Sequence, residues 1–204
     1  EEVFIGRDGY EAQAYHGYWP AEAREVESEF GGREALEALL AAAHARGMRV
    51  LMDVVPNHVH TDHPYWRNHQ GENWFNNPEG ECICGTSCPW SLHMEDCWFD
   101  PFLADLRYRN VEVVDQLVDD CLWWLETFDL DGLRIDAVPM MPRLFVRHLR
   151  ARVHARLERG GTPIYLLGEC YTERGGQSII RYYLGPYSLS GLFDFPLMWA
   201  LRDA

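Results

Sequence analysis

Apolar residues along the chain fall into two kinds of run. Four are short and nearly continuous: "RVLMDVV" at 49–55, "LDGLRID" at 130–136, "PIYLLGE" at 163–169 and "GLFDF" at 191–195. Their length and composition predict buried parallel strands. Between them the period turns helical. Leu36, Leu39, Leu40 and Ala43 follow the i, i+3, i+4, i+7 rule, with Gly47 placed as a stop. Val114, Leu117, Val118, Cys121, Leu122 and Leu125 make a longer stripe of the same kind, and a third helix is predicted over about 142–158, ending at Gly160 and Gly161.

Strands alternating with helices read as βα units around a parallel sheet. A (β/α)8 barrel and a doubly wound open sheet both fit. No G-x-G-x-x-G or P-loop pattern follows any strand, which counts against the nucleotide-binding sheet. Each strand also ends in a carboxylate or lies near one: Asp53, Asp136, Glu169 and Asp194. Carboxylates at C-terminal strand ends are where a barrel enzyme keeps its chemistry. The expected fold is therefore α/β, of the (β/α)8 TIM-barrel type. From about 60 to 105 the period fails and Asn, Gly, Pro, Trp and Cys crowd in. A stretch this long reads as an inserted subdomain, so the expected organisation is barrel over 1–59, insert over 60–105 and barrel again over 106–204.

Composition narrows this little. The chain has 204 residues, 47% of them hydrophobic, and a net charge of −14. With no clustered Lys/Arg stripe, a nucleic-acid partner is not expected. No apolar run is long enough to span a membrane. The sequence sets no oligomeric state.

Charge placement says more. Arg134 and Asp136 stand two apart in a strand, so they share a face, and a buried charged pair is costly unless paired and used. Glycoside hydrolysis needs two carboxylates, one as nucleophile or base and one as a general acid of raised pKa. Asp136 suits the first role, because the Arg134 guanidinium favours its ionised form. Glu169 ends the apolar run "IYLLGE", whose surroundings would raise its pKa. The bland alternative is that both cap the following helices or form a buried ion pair.

Several segments together resemble the α-amylase superfamily, glycoside hydrolase family 13. "DVVPNH" at 53–58, "GLRIDAV" at 132–138 and "GE" at 168–169 are similar to three of its ordered motifs. "AYHGYWP" at 14–20 resembles the segment after the second barrel strand of α-amylases, "LADLRY" at 103–108 a short motif closing the insert, and "LFDFPL" at 192–197 the sixth strand. The resemblance implies a retaining hydrolase of α-glucosidic, mainly α-1,4, bonds in starch-like glucans or maltooligosaccharides. It makes Asp136 the nucleophile, Glu169 the acid/base and Arg134 the residue that holds Asp136 ionised. His16 and His58 match histidines that bond sugar hydroxyls, and Tyr18 matches an aromatic platform for the ring; without the motifs each reads as ordinary packing. Asp53 matches a mainly structural position. Asn57 and Asp105 match positions that help hold a structural Ca²⁺, and both offer the oxygen donors that ion prefers.

There are departures from the family pattern. "AVPM" follows Asp136 where many α-amylases have a lysine and a histidine at the places of Pro139 and Met140. "LADLRY" lacks the usual proline and carries Arg107, and "DHPYW" at 62–66 resembles α-glucosidase-like relatives. An α-glucosidase, a transglycosylase and a non-catalytic barrel relative are the alternatives. No N-H-D motif for a third carboxylate is present, and the chain ends at about the sixth strand. The barrel is thus expected to be incomplete, about strands 2–6 of a longer enzyme, and inactive by itself.

Cys82, Cys84, Cys88 and Cys97 lie within sixteen residues of the insert. They read as two disulfides or a zinc site, with disulfides favoured because C-x-C-x3-C lacks the usual C-x2-C knuckle. Disulfides point to an extracellular or periplasmic protein. Cys121 lies on a helical stripe and reads as a buried thiol. Cys170 has no accompanying base motif and is a poor nucleophile candidate.

Overall fold

The structure, a computed structural model, describes the backbone of residues 3–5 and 11–204 and the side chains of 14–204. In chain order, strand β1 (Val3–Ile5) and strand β2 (Glu11–Gln13) precede helix α1 (Gly32–His44), strand β3 (Leu51–Val54) and strand β4 (His58–His60). Then come short helices α2 (Pro64–His69) and α3 (Trp90–His93), strand β5 (Leu103–Asp105), helix α4 (Val111–Phe128) and strand β6 (Gly132–Ile135). Helix α5 (Arg143–Arg156), strand β7 (Tyr165–Gly168), helix α6 (Gln177–Tyr183), strand β8 (Gly191–Leu192) and helix α7 (Phe195–Asp203) complete it. The chain forms two units, one from 1–23 and 55–114, the other from 24–54 and 115–204.

The second unit carries the parallel sheet, ordered β3-β6-β7-β8. Its strands are the four apolar runs, and the alternation of β with α places it as part of a (β/α)8 barrel. Arg134 pairs with Asp53 on one side and Leu167 on the other. Leu133, Ile135 and Leu166 are fully buried, as are Phe145, Val146, Leu149 and Val153 of α5. Gly132 is required where it stands, because a Cβ there would run into the carbonyl of Tyr165 on the neighbouring strand. At the opposite end from the strand-end carboxylates, Asp131 accepts from the Val50 N–H (2.8 Å) and pairs with Arg49 (2.6 Å) and His44 (2.9 Å). That cluster ties the exit of α1 to the starts of β3 and β6.

The helical stripes hold with one exception. All six predicted residues of α4 are buried. On α1, Leu40 and Ala43 are buried but Leu39 is 60% exposed. At about 100° per residue, Leu39 lies about 60° around the helix from Leu36, at the edge of the packed face. The stop is as expected: Gly47 (φ 71°) donates to the His44 carbonyl and Met48 to that of Ala43, the paired bonds of a Schellman motif. The run over 191–195 is a strand only at Gly191–Leu192. Pro196 cannot continue a ladder, and Asp194 instead caps α7 by accepting the Leu197 N–H at 2.9 Å.

In the first unit β4 and β5 pair antiparallel, setting His58 opposite Asp105. The segment between them buries Trp74, Phe75 and Trp98, and Trp66 meets Phe75 and Trp98 edge-on. Two disulfides staple it, Cys82–Cys88 and Cys84–Cys97. Covalent links suit a segment with so small an apolar core. No helix among the described residues is long and apolar enough to cross a membrane.

Candidate active site

Three carboxylates of the second unit gather at the C-terminal ends of its strands. Backbone pairing runs past the strand ends: Asp136 N–H donates to the Val54 carbonyl (3.0 Å), Glu169 N–H to that of Ile135 (2.8 Å), and Val138 N–H to that of Glu169 (2.9 Å). The side chains of Asp53, Asp136 and Glu169 therefore surround Arg134. Its Nη1 donates to Asp53 Oδ1 at 2.8 Å and also to Asp136 Oδ1, while Nη2 lies 3.6 Å from Glu169 Oε2. The guanidinium also stands 5.7 Å from the centre of the Phe193 ring. Burial disfavours its charge, but the Asp53 and Asp136 carboxylates outweigh that and raise its pKa.

The alternation rule put Arg134 and Asp136 on one face, and there they are. The charge balance on Asp136 differs from expectation. Burial raises its pKa to about 6; Arg134 pulls it down, and Glu169 pushes it up again. The guanidinium is divided among three acids, so it offsets only part of the desolvation. At neutral pH Asp136 is still mostly ionised.

The chain turns sharply after Asp136. Ala137 adopts a left-handed conformation (φ 50°, ψ 39°), and its N–H donates to Glu169 Oε2 at 3.1 Å. A non-glycine residue held there stores backbone strain of a kind that gathers at functional sites. Asp136 and Glu169 both keep part of their carboxyl surface open to solvent, with side chains 15% and 26% exposed. Two reachable carboxylates on adjacent strands, sharing one cation, are equipped for paired nucleophilic and acid–base work. The neighbouring Cys170 is not: it is fully buried, and burial together with the charge of Glu169 pushes its thiol up to about 11.

The remaining candidates lie in the first unit. His58 is buried; Nε2 donates to the Tyr18 carbonyl at 3.0 Å and Nδ1 faces Asn57 Nδ2 at 3.3 Å. That pattern is the neutral Nε2–H tautomer, and burial lowers the His58 pKa to about 4. His16 and Tyr18 are exposed, their rings stacked with centroids 5.6 Å apart. His16 Nδ1 accepts the Tyr18 N–H at 3.0 Å, and burial lowers its pKa.

Asn57 and Asp105 meet below the surface. Asp105 accepts from Asn76 Nδ2 (2.8 Å) and, at 3.4 Å, from Asn57 Nδ2. Burial raises the Asp105 pKa well above the usual carboxylate range, and the charge of Asp96 adds to this. Asn57 Oδ1 is buried with no hydrogen-bond partner. A buried carboxyl group beside an orphaned amide oxygen offers two of the oxygen donors a hard cation takes, and a bound cation would favour the ionised carboxylate; these two residues fit part of a calcium site.

Sequence reasoning missed three contributors. Asn76 supplies the shorter bond to Asp105, and only the Asn-rich composition of its segment hinted at it. Phe193 stands over Arg134 from a run read simply as strand. The Ala137 N–H has no signal in side-chain pattern at all.

The family described as alpha amylase, catalytic domain, matches residues 9–161. Alpha-amylase mde5 of Schizosaccharomyces pombe is 31% identical over 69% of this chain and 28% of its own length. A cyclomaltodextrin glucanotransferase of Bacillus licheniformis is 25% identical across the whole chain and 29% of its own. Among solved structures, an alpha-amylase from Geobacillus thermoleovorans complexed with acarbose superposes with a TM-score of 0.78 at 30% identity, covering 99% of this chain and 42% of that one. The chain thus spans less than a third of the length of these curated relatives.

Proposed function

Since the chain belongs to the α-amylase catalytic-domain family, we propose that it carries the catalytic carboxylates of a retaining glycoside hydrolase acting on α-glucosidic, mainly α-1,4, bonds of starch-like glucans or maltooligosaccharides. The observation that carries this is the guanidinium of Arg134 lying between Asp136 and Glu169. One cation in reach of both acids is compatible with the separation of roughly 5–5.5 Å that a retaining pair needs.

In this reading Asp136 attacks the anomeric carbon while Glu169 protonates the departing oxygen. Glu169 then takes a proton from water, which releases the sugar with its α configuration kept. Arg134 tempers the burial of Asp136, and the Ala137 N–H orients Glu169. The family resemblance gives His16, His58 and Tyr18 as sugar contacts; His16 and Tyr18 are exposed, whereas both ring nitrogens of the buried His58 are engaged, by the Tyr18 carbonyl and by Asn57 Nδ2. The neutral tautomer of His58 keeps a fixed donor and a fixed acceptor. Asn57 and Asp105 hold a structural Ca²⁺, whose charge would neutralise the buried carboxylate. The two disulfides support an extracellular or periplasmic location.

The test uses the complete gene product. Asp136→Asn and Glu169→Gln are each expected to lose roughly 10³-fold or more in kcat, and NMR of the first product from the wild type to show the α anomer. A β anomer, or full activity in either variant, would sink the assignment. Transglycosylation is the second reading, favoured by the similarity of this chain to 29% of the length of a cyclomaltodextrin glucanotransferase. Transfer products at high maltooligosaccharide concentration would select it, and release of single glucose units would select an α-glucosidase.

A further inference from the structure

We propose that Cys82, Cys88 and His93 form a latent Zn²⁺ site, which opens when the Cys82–Cys88 disulfide is reduced. The two sulfurs and a ring nitrogen of His93 all lie within 4.8 Å of one another. In a tetrahedral zinc site, bond lengths of about 2.0–2.3 Å set ligand atoms roughly 3.5–3.8 Å apart. The three donors therefore need only a small adjustment once the sulfurs part.

Two further features prepare the site. His93 Nδ1 lies 3.0 Å from Asp96 Oδ1. A carboxylate on that nitrogen fixes the ring, and a metal held by the other nitrogen would meet the carboxylate-backed arrangement usual behind zinc histidines. The loop that carries the cysteines is also held by its own backbone. Cys88 N–H donates to the Ile83 carbonyl (3.0 Å) and Gly85 N–H to that of Cys88 (2.8 Å). Ser87 Oγ accepts the Ile83 N–H at 2.8 Å, and Cys97 N–H donates to the His93 carbonyl at 3.0 Å. Opening the bridge leaves these bonds in place, so Cys82 and Cys88 stay neighbours.

The two disulfides differ in access. Cys82, Cys84 and Cys97 are all buried, at 6%, 2% and 1% exposed, and Cys88 alone of the four is only half-buried. Thiol–disulfide exchange requires an approach to sulfur, so a dithiol reductant reaches the Cys82–Cys88 bridge first. The dithiol supplies two electrons and two protons and leaves as its own disulfide. Zinc then binds the two thiols and His93 and displaces both thiol protons. Water fills the fourth position, and the Cys84–Cys97 bridge keeps the segment folded.

The test titrates Co²⁺, a coloured stand-in for Zn²⁺, into the complete gene product before and after dithiol treatment and anaerobic desalting. The reduced chain is expected to take up one Co²⁺ with thiolate-to-metal absorption in the near ultraviolet, bleached by one equivalent of Zn²⁺; the oxidised chain is expected to show none. His93→Ala is expected to weaken the affinity by at least tenfold. Asp96→Asn leaves every ligand in place and is expected to weaken it by about 10–100-fold. No thiolate absorption in the reduced chain would overturn the proposal, as would the same absorption in the oxidised chain. Wild-type affinity in either variant would overturn it as well.

Discussion

The backbone N–H of Ala137 donates to Glu169 Oε2 at 3.1 Å, so the residue after one carboxylate holds the other in place. The Val138 N–H bonds the Glu169 carbonyl at 2.9 Å, and the two strand ends are locked in register at the point where both acids emerge. Backbone donors cannot change rotamer. They fix the Glu169 carboxylate more firmly than a side-chain partner would.

Burial has raised Asp136 to about 6, and in the proposed mechanism this residue is the nucleophile, which must be ionised. Activity of the complete gene product is therefore expected to fall as pH drops through about 6, by roughly tenfold per pH unit below it. Arg134→Met removes the one group that lowers this pKa, so the acidic limb of kcat/KM is expected to shift to higher pH. A limb that stays in place would show that Asp136 does not control it.

The same shift sets a stability trend. The folded-state pKa of Asp136 lies above the unfolded value near 3.8, so between those two pH values the folded state binds more protons. This contribution to stability is full below pH about 4 and is lost as pH rises through 6. Asp136→Asn is expected to stabilise the chain at pH 7 by about 1–2 kcal/mol, once solvent screening of a partly exposed group is allowed for. Urea unfolding at pH 7 checks it; a destabilised variant would contradict the sign.

His58 and His63 point the other way. Burial lowers both to about 4 from a reference of 6.5. The unfolded chain binds more protons between those values, so stability is full above pH 6.5 and is lost as pH falls toward 4. The loss is at most about 1.4 kcal/mol per pH unit for each histidine. His63→Gln is expected to flatten the slope of unfolding free energy against pH. His63 caps α2 through Nδ1, which accepts the Tyr65 N–H at 3.0 Å, and glutamine keeps a polar side chain there without the titration.

Calcium is expected to raise the melting temperature of the chain through Asn57 and Asp105. At a free concentration a hundred times its Kd, the gain is about 2.7 kcal/mol. Asp105→Asn is expected to abolish the calcium response while leaving the apo protein folded, because the buried carboxylate already disfavours its own charge. Differential scanning calorimetry with calcium and with a chelator reads both. A calcium shift that survives in Asp105→Asn would move the ion elsewhere.

Gly132→Ala is expected to destabilise the chain by about 2–3 kcal/mol, from overpacking against the Tyr165 carbonyl. That carbonyl is part of the sheet and cannot rotate away. Chemical denaturation measures it, and a neutral result would show that β6 and β7 can separate locally.

Much of the sheet unit was legible because its signals are local. Four apolar runs of strand length gave β3, β6, β7 and β8, and helical spacing gave α4 with all six predicted residues buried. Leu39 and Asp194 were misread for one reason: periodicity assigns a face but does not say how wide the packed part of it is, nor where a strand yields to a cap. The antiparallel pairing of β4 with β5 joins residues more than forty positions apart, and no local pattern carries such a partner choice.

By itself the sequence determined which residues bear charge and on which face of a strand they lie, because side-chain alternation follows from the backbone alone. It also placed the four cysteines close enough to pair. Only the tertiary structure decided that one guanidinium is shared by Asp53, Asp136 and Glu169, and that burial outweighs it at Asp136. Electrostatic balance is a sum over neighbours and solvent in three dimensions, and those neighbours come from strands tens of residues apart in the chain.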